Sequence, residues 1–176
     1  MMYVLILLLV VVSGLVFANQ EIKNESTKRP SPKSLSAAQS DAEKKKWEVS
    51  PDGVKFKEWE TSPAGKNVRA IAAKIKEDIG AFTTMEAVIT ALSLPPGSRL
   101  GFGVMARING ADYIVNFEAE KSQLEQLQRL KVNDKILVKS RNLSYAPKYS
   151  YPIVSAEYVE RDGKVIFKRV PRQGGC

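Results

Sequence analysis

The order of predicted elements in the C-terminal half of this chain limits its fold more than any other feature. Residues 84–168 hold three β-like runs, one short amphipathic helix, and then two or three further β-like runs. The runs alternate apolar and polar side chains, as strands with one buried face do. Asn109-Gly110 and Asp162-Gly163 are strong hairpin turn signals. The pattern predicts a mainly β domain of the α+β class, in which five or six strands curl into a small barrel with the helix between strands three and four.

Residues 1–18 carry the pattern of an export signal. They contain no charged side chain, and Val16 and Ala18 are small residues at the positions that signal peptidase requires. We therefore expect a signal peptide that is cleaved after Ala18. The positive charges that normally precede such a segment are missing, so an uncleaved signal anchor through residues 4–18 is the alternative. Both alternatives place the protein outside the cytoplasm, secreted or periplasmic, with membrane contact only through that anchor.

The residue types that the chain lacks exclude several classes of function. It has no histidine, which removes Ser-His-Asp and Cys-His catalysis and histidine-ligated zinc. Its single cysteine, Cys176, rules out an internal disulfide, although Cys176 could link two copies as a dimer or remain a free thiol. The formal net charge of +8 favours a polyanion such as nucleic acid or an anionic glycan, or an acidic protein partner. A merely solvated basic surface is the alternative.

The chain between the signal and the barrel divides into two parts. Residues 19–46 are rich in Ser, Lys, Ala and Glu without periodic apolar side chains, so we expect a disordered linker. Residues 47–83 are expected to form a hairpin and an amphipathic helix that precede the barrel of residues 84–170. The tail, residues 171–176, is expected to be frayed. No internal repeat is apparent.

Two local signals underlie the hairpin and the helix. Apolar residues alternate from Trp47 to Trp59 on either side of the Pro51-Asp52-Gly53 turn signature, which is typical of a hairpin. Ser62-Pro63 is a helix start, with Ser as the N-cap and Pro in the first helical position. An apolar stripe with helical spacing follows, formed by Val68, Ile71, Ala72, Ile75 and Ile79. We expect this stripe to pack on the barrel; a membrane surface or a partner groove is the alternative.

The order of elements and one short phrase resemble a known family. The phrase Leu130-Lys131-Val132-Asn133-Asp134-Lys135-Ile136 looks like the start of the fourth strand in OB-fold domains. The element order is similar to that of OB-fold domains, including small exported ones of the tRNA-anticodon-binding-like kind. Asn133 stands where Gly is usual, and Asn tolerates the left-handed conformation. The resemblance covers residues 84–168 and implies an OB-like β-barrel.

The resemblance also implies a binding surface on strands two and three, framed by the loops between strands one and two and between strands four and five. On the sheet, this surface maps to Arg99, Phe102, Met105, Arg107, Tyr113 and Asn116. In the last loop it maps to Arg141, Tyr145, Lys148, Tyr149 and Tyr151. Aromatic rings among Lys and Arg are the residue types that stack bases and neutralise phosphates. Phe102 and Tyr113 are more typical of core residues, and the loop tyrosines could instead hold their loop in place. The residues predicted to bind ligand are Arg99, Arg107, Arg141, Tyr145, Lys148, Tyr149 and Tyr151.

We predict no catalytic residue, no metal ligand and no cofactor. The carboxylates form no recognisable ligand spacing, which favours an exported, non-catalytic binding module for an anionic or extended ligand. A protein-interaction or envelope-assembly component without a small ligand is one alternative. A metal-dependent hydrolase is another, and it would require Glu86, Asp112 and Glu157 to converge. Asn24 and Asn142 match the glycosylation acceptor pattern, which has meaning only in a eukaryotic source.

Overall fold

The computed structural model describes residues 37–171. The predicted signal segment 1–18, the linker up to residue 36 with Asn24, and the end of the tail with Cys176 lie outside the described residues. Within the described part there are five helices: α1 (Ala37–Glu48), α2 (Pro51–Thr61), α3 (Pro63–Ala73), α4 (Lys76–Ala81) and α5 (Lys121–Leu127). None of these helices is both long enough and apolar enough to cross a bilayer.

The strands form one mixed sheet. They are β1 (Met85–Ala91), β2 (Gly103–Ile108), β3 (Ala111–Asn116), β4 (Lys135–Lys139), β5 (Asn142–Ser144), β6 (Ile153–Ser155), β7 (Tyr158–Arg161) and β8 (Lys164–Lys168). Their order is β5-β6-β3-β2-β1-β4-β7-β8, in which β3 and β6 are parallel and all other neighbours are antiparallel. The α+β class is confirmed. The expected barrel of five or six strands is wrong, because this sheet has eight strands and is open, with edges at β5 and β8.

Most of the additional strands arise because one long hairpin is interrupted. β4 and β5 are two parts of its first arm, and β6 and β7 are two parts of its second. Leu137 pairs with Glu160 and Asn142 pairs with Ser155, so both parts keep one register. The interruption lies at Ser140, which is buried and whose hydroxyl donates to the Ser155 carbonyl at 2.7 Å. A side-chain hydrogen bond therefore replaces part of the strand ladder at this point.

The interrupted hairpin borders the rest of the sheet on both sides. Its base, β4, pairs with β1, and its tip, β6, pairs with β3. Because β1 and β3 lie on either side of β2, a hairpin that reaches both of them requires a strongly curved sheet. The two edge strands, β5 and β8, are not neighbours in it.

The predicted helical stripe packs against buried side chains of the sheet. Val68, Ala72, Ile75 and Ile79 are buried. Ile75 and Ile79 belong to the main core, and the half-buried Ile71 packs against it. The expected single helix is divided into α3 and α4, because the N–H groups of Lys74 and Ile75 bond to carbonyls three residues back and tighten the turn. The stripe therefore packs on the sheet as expected, although its helix is broken.

The expected hairpin at the start of this region is wrong. Residues 47–61 lie in the end of α1 and in α2, and residues 37–46 of the expected linker are helical as well. Ser50 is the N-cap of α2, with Pro51 in its first turn and the Gly53 N–H bonded to the Ser50 hydroxyl oxygen. Pro51-Asp52-Gly53 is therefore a helix start, of the same kind as Ser62-Pro63.

The two helix corners reveal an internal repeat. Trp-Glu-x-Ser-Pro-x-Gly occurs at residues 47–53 and again at residues 59–65. In both copies the Ser hydroxyl donates to the preceding Trp carbonyl at 2.6 Å. Each Glu forms an ion pair with the cation nine residues later, Glu48 with Lys57 and Glu60 with Arg69. The expectation of no repeat is therefore wrong, because both the sequence motif and its contacts recur.

The predicted turn residues adopt the conformations that their types allow. Asn109 and Gly110 have φ of 48° and 72°, and Asp162 and Gly163 have 53° and 72°. These values are those of a type I′ hairpin turn. Asn133 has φ of 72°, so the left-handed conformation expected there is confirmed.

Candidate functional site

The face of β2 and β3 on which binding was expected is covered by the protein's own loops. The loop between β1 and β2 meets the loop between β5 and β6 over this face. Together with the strands they form a second, smaller core of Met105, Ile114, Tyr149 and Ile153, with Ala91, Leu94, Leu100, Ala146 and Tyr151 packed around it. This face therefore offers little open surface to a ligand.

Tyr149 fastens the two loops to each other. Only 4% of its surface is exposed, and its hydroxyl lies 3.1 Å from the hydroxyl of Ser98 in the other loop. The Lys148 ammonium approaches the Gly97 carbonyl at 3.5 Å. Burial acts to raise the pKa of Tyr149, but hydrogen bonds with Ser98, Lys148 and the Arg99 backbone outweigh it and lower that pKa. The position of Tyr149 supports loop packing rather than ligand contact.

The other predicted binding residues are spread over several places. Arg99 is exposed on the loop before β2. Arg107 binds both carboxylate oxygens of Asp112, at 2.9 and 3.1 Å, and this partner raises the pKa of Arg107. Tyr151 is half-buried at the rim of the smaller core. Tyr145 packs against Phe56 and Trp59 of α2. These four predicted residues therefore do not converge on one site.

Arg141, which was predicted to bind ligand, lies in a groove with other cationic side chains. It lines a groove of about 500 Å³, which we call the Phe82 groove. The lining residues are Phe82, Lys139, Arg141, Glu157, Tyr158, Lys168, Arg169 and Pro171. The Arg141 guanidinium carbon lies 3.8 Å from the centre of the Phe82 ring, and the Lys139 ammonium lies 5.8 Å from that of Tyr158. These distances are typical of cation–π contacts.

Local structure fixes these groups in place. Phe82 follows α4 in a left-handed conformation, φ 55°, and its N–H bonds to the Ile79 carbonyl. Arg141 lies between β4 and β5, where its backbone N–H donates to a Glu157 carboxylate oxygen at 3.1 Å. The second Glu157 oxygen lies 3.4 Å from the Arg141 guanidinium. Phe82 was not identified from the sequence, since a helix C-cap residue carries no recognisable binding pattern.

A second groove meets the first at Arg141. This Arg69 groove has a volume of about 480 Å³. Its lining residues are Arg69, Ala72, Ala73, Lys76, Ile79, Gly80, Arg141, Leu143 and Tyr145. Tyr145 stacks on Phe56 with ring centres 6.4 Å apart, and the Arg69 guanidinium lies 5.9 Å from its ring centre.

The two grooves together form a basic surface, which we call the Arg141 strip. Its cations are Arg69, Lys76, Lys139, Arg141, Lys168 and Arg169. The three arginines have carboxylate partners, Glu60, Glu157 and Glu118 respectively for Arg69, Arg141 and Arg169. The three lysines form no ion pair with another residue in the part of the chain that the structure describes. The strip is therefore strongly positive.

A third groove, of about 590 Å³, has a different character, and we call it the mixed-charge groove. It lies on the outer face of β1 and β4 and is lined by residues of both signs, including Glu86, Arg107, Lys135, Glu160 and Asp162. Of the carboxylates that a hydrolase would require, Glu86 lies here, Asp112 is held by Arg107, and Glu157 lies in the Phe82 groove. Between residues 37 and 171, no three acidic or cysteine side chains are grouped in a way that could hold a metal ion.

No protein-family model, no curated protein and no solved structure matches this chain. Proposals about its function therefore depend on its own residues.

Proposed function

We propose that this protein is a non-catalytic binding module for an extended anionic ligand, and that the ligand lies along the Arg141 strip. The observation that carries this proposal is that Arg141 lines both grooves. One ligand could therefore contact both grooves without leaving the surface. The proposed ligand class is still nucleic acid or an anionic glycan. The proposed contact surface is now the Arg141 strip and not the β2–β3 face.

The charges on the strip support this proposal. Six cationic side chains line the two grooves, and Glu157 is the carboxylate among the lining residues. With Glu60 and Glu118, which pair with Arg69 and Arg169, three carboxylates face six cations. A groove lined by one sign of charge attracts counter-charged ligands and raises their rate of association. Arg141 is held on the Phe82 ring, so less side-chain freedom is lost when it binds a ligand.

We also propose that the sheet is an opened relative of the OB fold. Three features support this: the order of elements, the helix between the third and fourth strands, and the hairpin that borders β1 at its base and β3 at its tip. Export through residues 1–18 stays a prediction, since those residues lie outside the described part.

The test is a binding titration with a labelled single-stranded oligonucleotide and a labelled sulfated glycan over a range of salt concentrations. We expect affinity for both probes to fall steeply as salt rises, because the contacts are ionic. Arg141→Gln should weaken binding about tenfold, since one charge-assisted contact contributes about 1.5 kcal/mol.

Arg107→Gln is the matched control for this titration. Arg107 is also exposed and paired with one carboxylate, but it lies in the mixed-charge groove. We expect Arg107→Gln to change affinity less than about twofold, because an exposed charge outside the binding surface contributes little. Absence of binding, or binding that does not depend on salt, would overturn the proposal.

A protein-interaction role is the second candidate, and one observation favours it. Trp47 of α1, Val49 in the turn that follows it and Val54 of α2 are 46%, 79% and 45% exposed. Exposed apolar side chains that lie close together often mark a contact with another protein. Sedimentation analysis of the protein across a range of concentrations would reveal self-association through this surface, and Val49→Ser with Val54→Ser should abolish it.

A further inference from the structure

We infer that the Arg141 strip recognises the charges of its ligand and not flat bases, and that the ligand is an anionic polysaccharide bearing carboxylate or sulfate groups. This inference rests on the proposed function, and it narrows the ligand class. It comes from what already occupies the aromatic rings in the two grooves.

Each ring that lines the strip has one of the protein's own cations over it. The Phe82 ring has Arg141 at 3.8 Å and Lys139 at 5.9 Å from its centre. The same Lys139 lies 5.8 Å from the centre of Tyr158. A base needs an open ring face in order to stack. In this strip, the cations compete with a base for the faces of both rings.

Tyr145 is enclosed in a similar way on the helical side of the strip. Phe56 is nearly parallel to it, at 10°, and Trp59 lies tilted with its ring centre 6.0 Å away. Arg69 lies over the Tyr145 ring at 5.9 Å. Tyr145 therefore acts as a support that holds Arg69, and it is not a free platform for a base.

The charged groups, in contrast, remain available. Lys76 and Lys168 are exposed, and neither has an ion pair or a ring contact within the described residues. Arg141 contacts its carboxylate partner only at 3.4 Å, which leaves other guanidinium N–H groups able to bind a ligand anion. A planar guanidinium binds carboxylate or sulfate oxygens in pairs. A polysaccharide with an acidic group on each repeat supplies such anions without requiring a stacking surface.

The test uses three labelled probes of similar length: a sulfated octasaccharide, an oligothymidylate, and an abasic oligomer with the same number of phosphates. We expect the octasaccharide to bind most tightly, and we expect the two oligomers to bind equally within about twofold, since base stacking would add at least about fivefold per stacked base. Tighter binding of the oligothymidylate than of the abasic oligomer by tenfold or more would overturn this inference and leave the proposed function standing. A failure of all three probes to bind would overturn both.

A pair of variants on one strand provides the second measurement. Lys168→Gln removes a cation of the strip, whereas Lys164→Gln removes an exposed cation from the other end of β8, outside both grooves. We expect Lys168→Gln to weaken octasaccharide binding about threefold to tenfold, because it removes an ionic contact with the ligand. We expect Lys164→Gln to change binding less than about twofold, because Lys164 does not contact the ligand. Equal effects of the two variants would show that net charge alone drives binding, and would overturn the inference.

Discussion

Tyr113 shows how a single side chain connects the sheet to the helices. It is fully buried, as expected of a core residue, and its hydroxyl donates to the Ile71 carbonyl of α3 at 2.7 Å. Burial raises the pKa of Tyr113 from 10.0 to about 12. The hydroxyl therefore stays protonated in the folded protein at pH values where it ionises in the unfolded chain.

This difference predicts a pH-dependent stability. Because the folded-state pKa is the higher one, the contribution of Tyr113 is complete below pH 10.0 and is lost as the pH rises toward about 12. Tyr113→Phe should lower the free energy of unfolding by about 1 kcal/mol near neutral pH, through loss of the hydrogen bond. The variant should also lack the decrease in the free energy of unfolding that ionisation of Tyr113 causes at alkaline pH. Urea unfolding of both proteins at neutral and alkaline pH measures the two effects, and parallel pH profiles would contradict the assignment.

The residues of the candidate site were only partly predictable from sequence. Arg141 was identified, because a cation in a tyrosine-containing loop is a recognisable pattern. Tyr149 belongs to the same pattern but is buried, because its hydroxyl contacts Ser98 of the opposite loop. The sequence of its own loop does not show this contact. Phe82 and Lys139 come together only in the folded chain, so their spacing carried no signal.

At the scale of elements, the two helix corners depend on glycine. Gly65 belongs to the corner between α2 and α3, where a Cβ atom would overlap the Trp59 carbonyl. Gly53 occupies the same place at the corner between α1 and α2, against the Trp47 carbonyl. The repeat therefore keeps glycine in both copies because the helices approach each other closely there.

Substitution of these glycines should have graded effects. Gly65→Ala should lower the free energy of unfolding by about 2 kcal/mol, because the backbone must move and α3 buries Val68 and Ala72 and packs Ile71 against the main core. Gly53→Ala should affect thermal unfolding less, since α1 has no residue in the main core. Gly80→Ala is the control: its Cβ meets nothing within 4 Å, so we expect no loss and a small gain. Thermal unfolding that ranks Gly80→Ala with Gly65→Ala would contradict this account.

Local sequence signals predicted one of these two helix starts and not the other. The Ser-Pro helix start at residue 62 was recognised because an apolar stripe of helical spacing follows it. The same start at residue 50 was missed, since α2 buries only Gly53 and so lacks a one-sided apolar stripe. With no such stripe, the alternation of Trp, Val and Phe resembled a strand. The repeat of the Trp-Glu-x-Ser-Pro-x-Gly motif was the signal that would have corrected it.

At the scale of the whole molecule, element order was predictable and the final shape of the sheet was not. The order of strands and helix in residues 84–168 follows from turn signals and periodicity, which are local. Whether the sheet closes depends on pairing between strands that are distant in sequence. At the interruption of the hairpin, too, the Ser140 hydroxyl bonds to the carbonyl of Ser155, 15 residues further along the chain. Arg141 directly follows this interruption and lines both grooves, which links the fold to the proposed binding surface.

The most direct test of the central claim is to map the bound ligand onto the backbone. Amide chemical shifts of the isotope-labelled protein would be followed by nuclear magnetic resonance during titration with a sulfated octasaccharide. We expect the largest changes on both grooves of the strip, near Lys76, Phe82, Arg141 and Lys168. Changes concentrated instead at Arg99 and Lys148, on the loops that cover β2 and β3, would contradict the central claim.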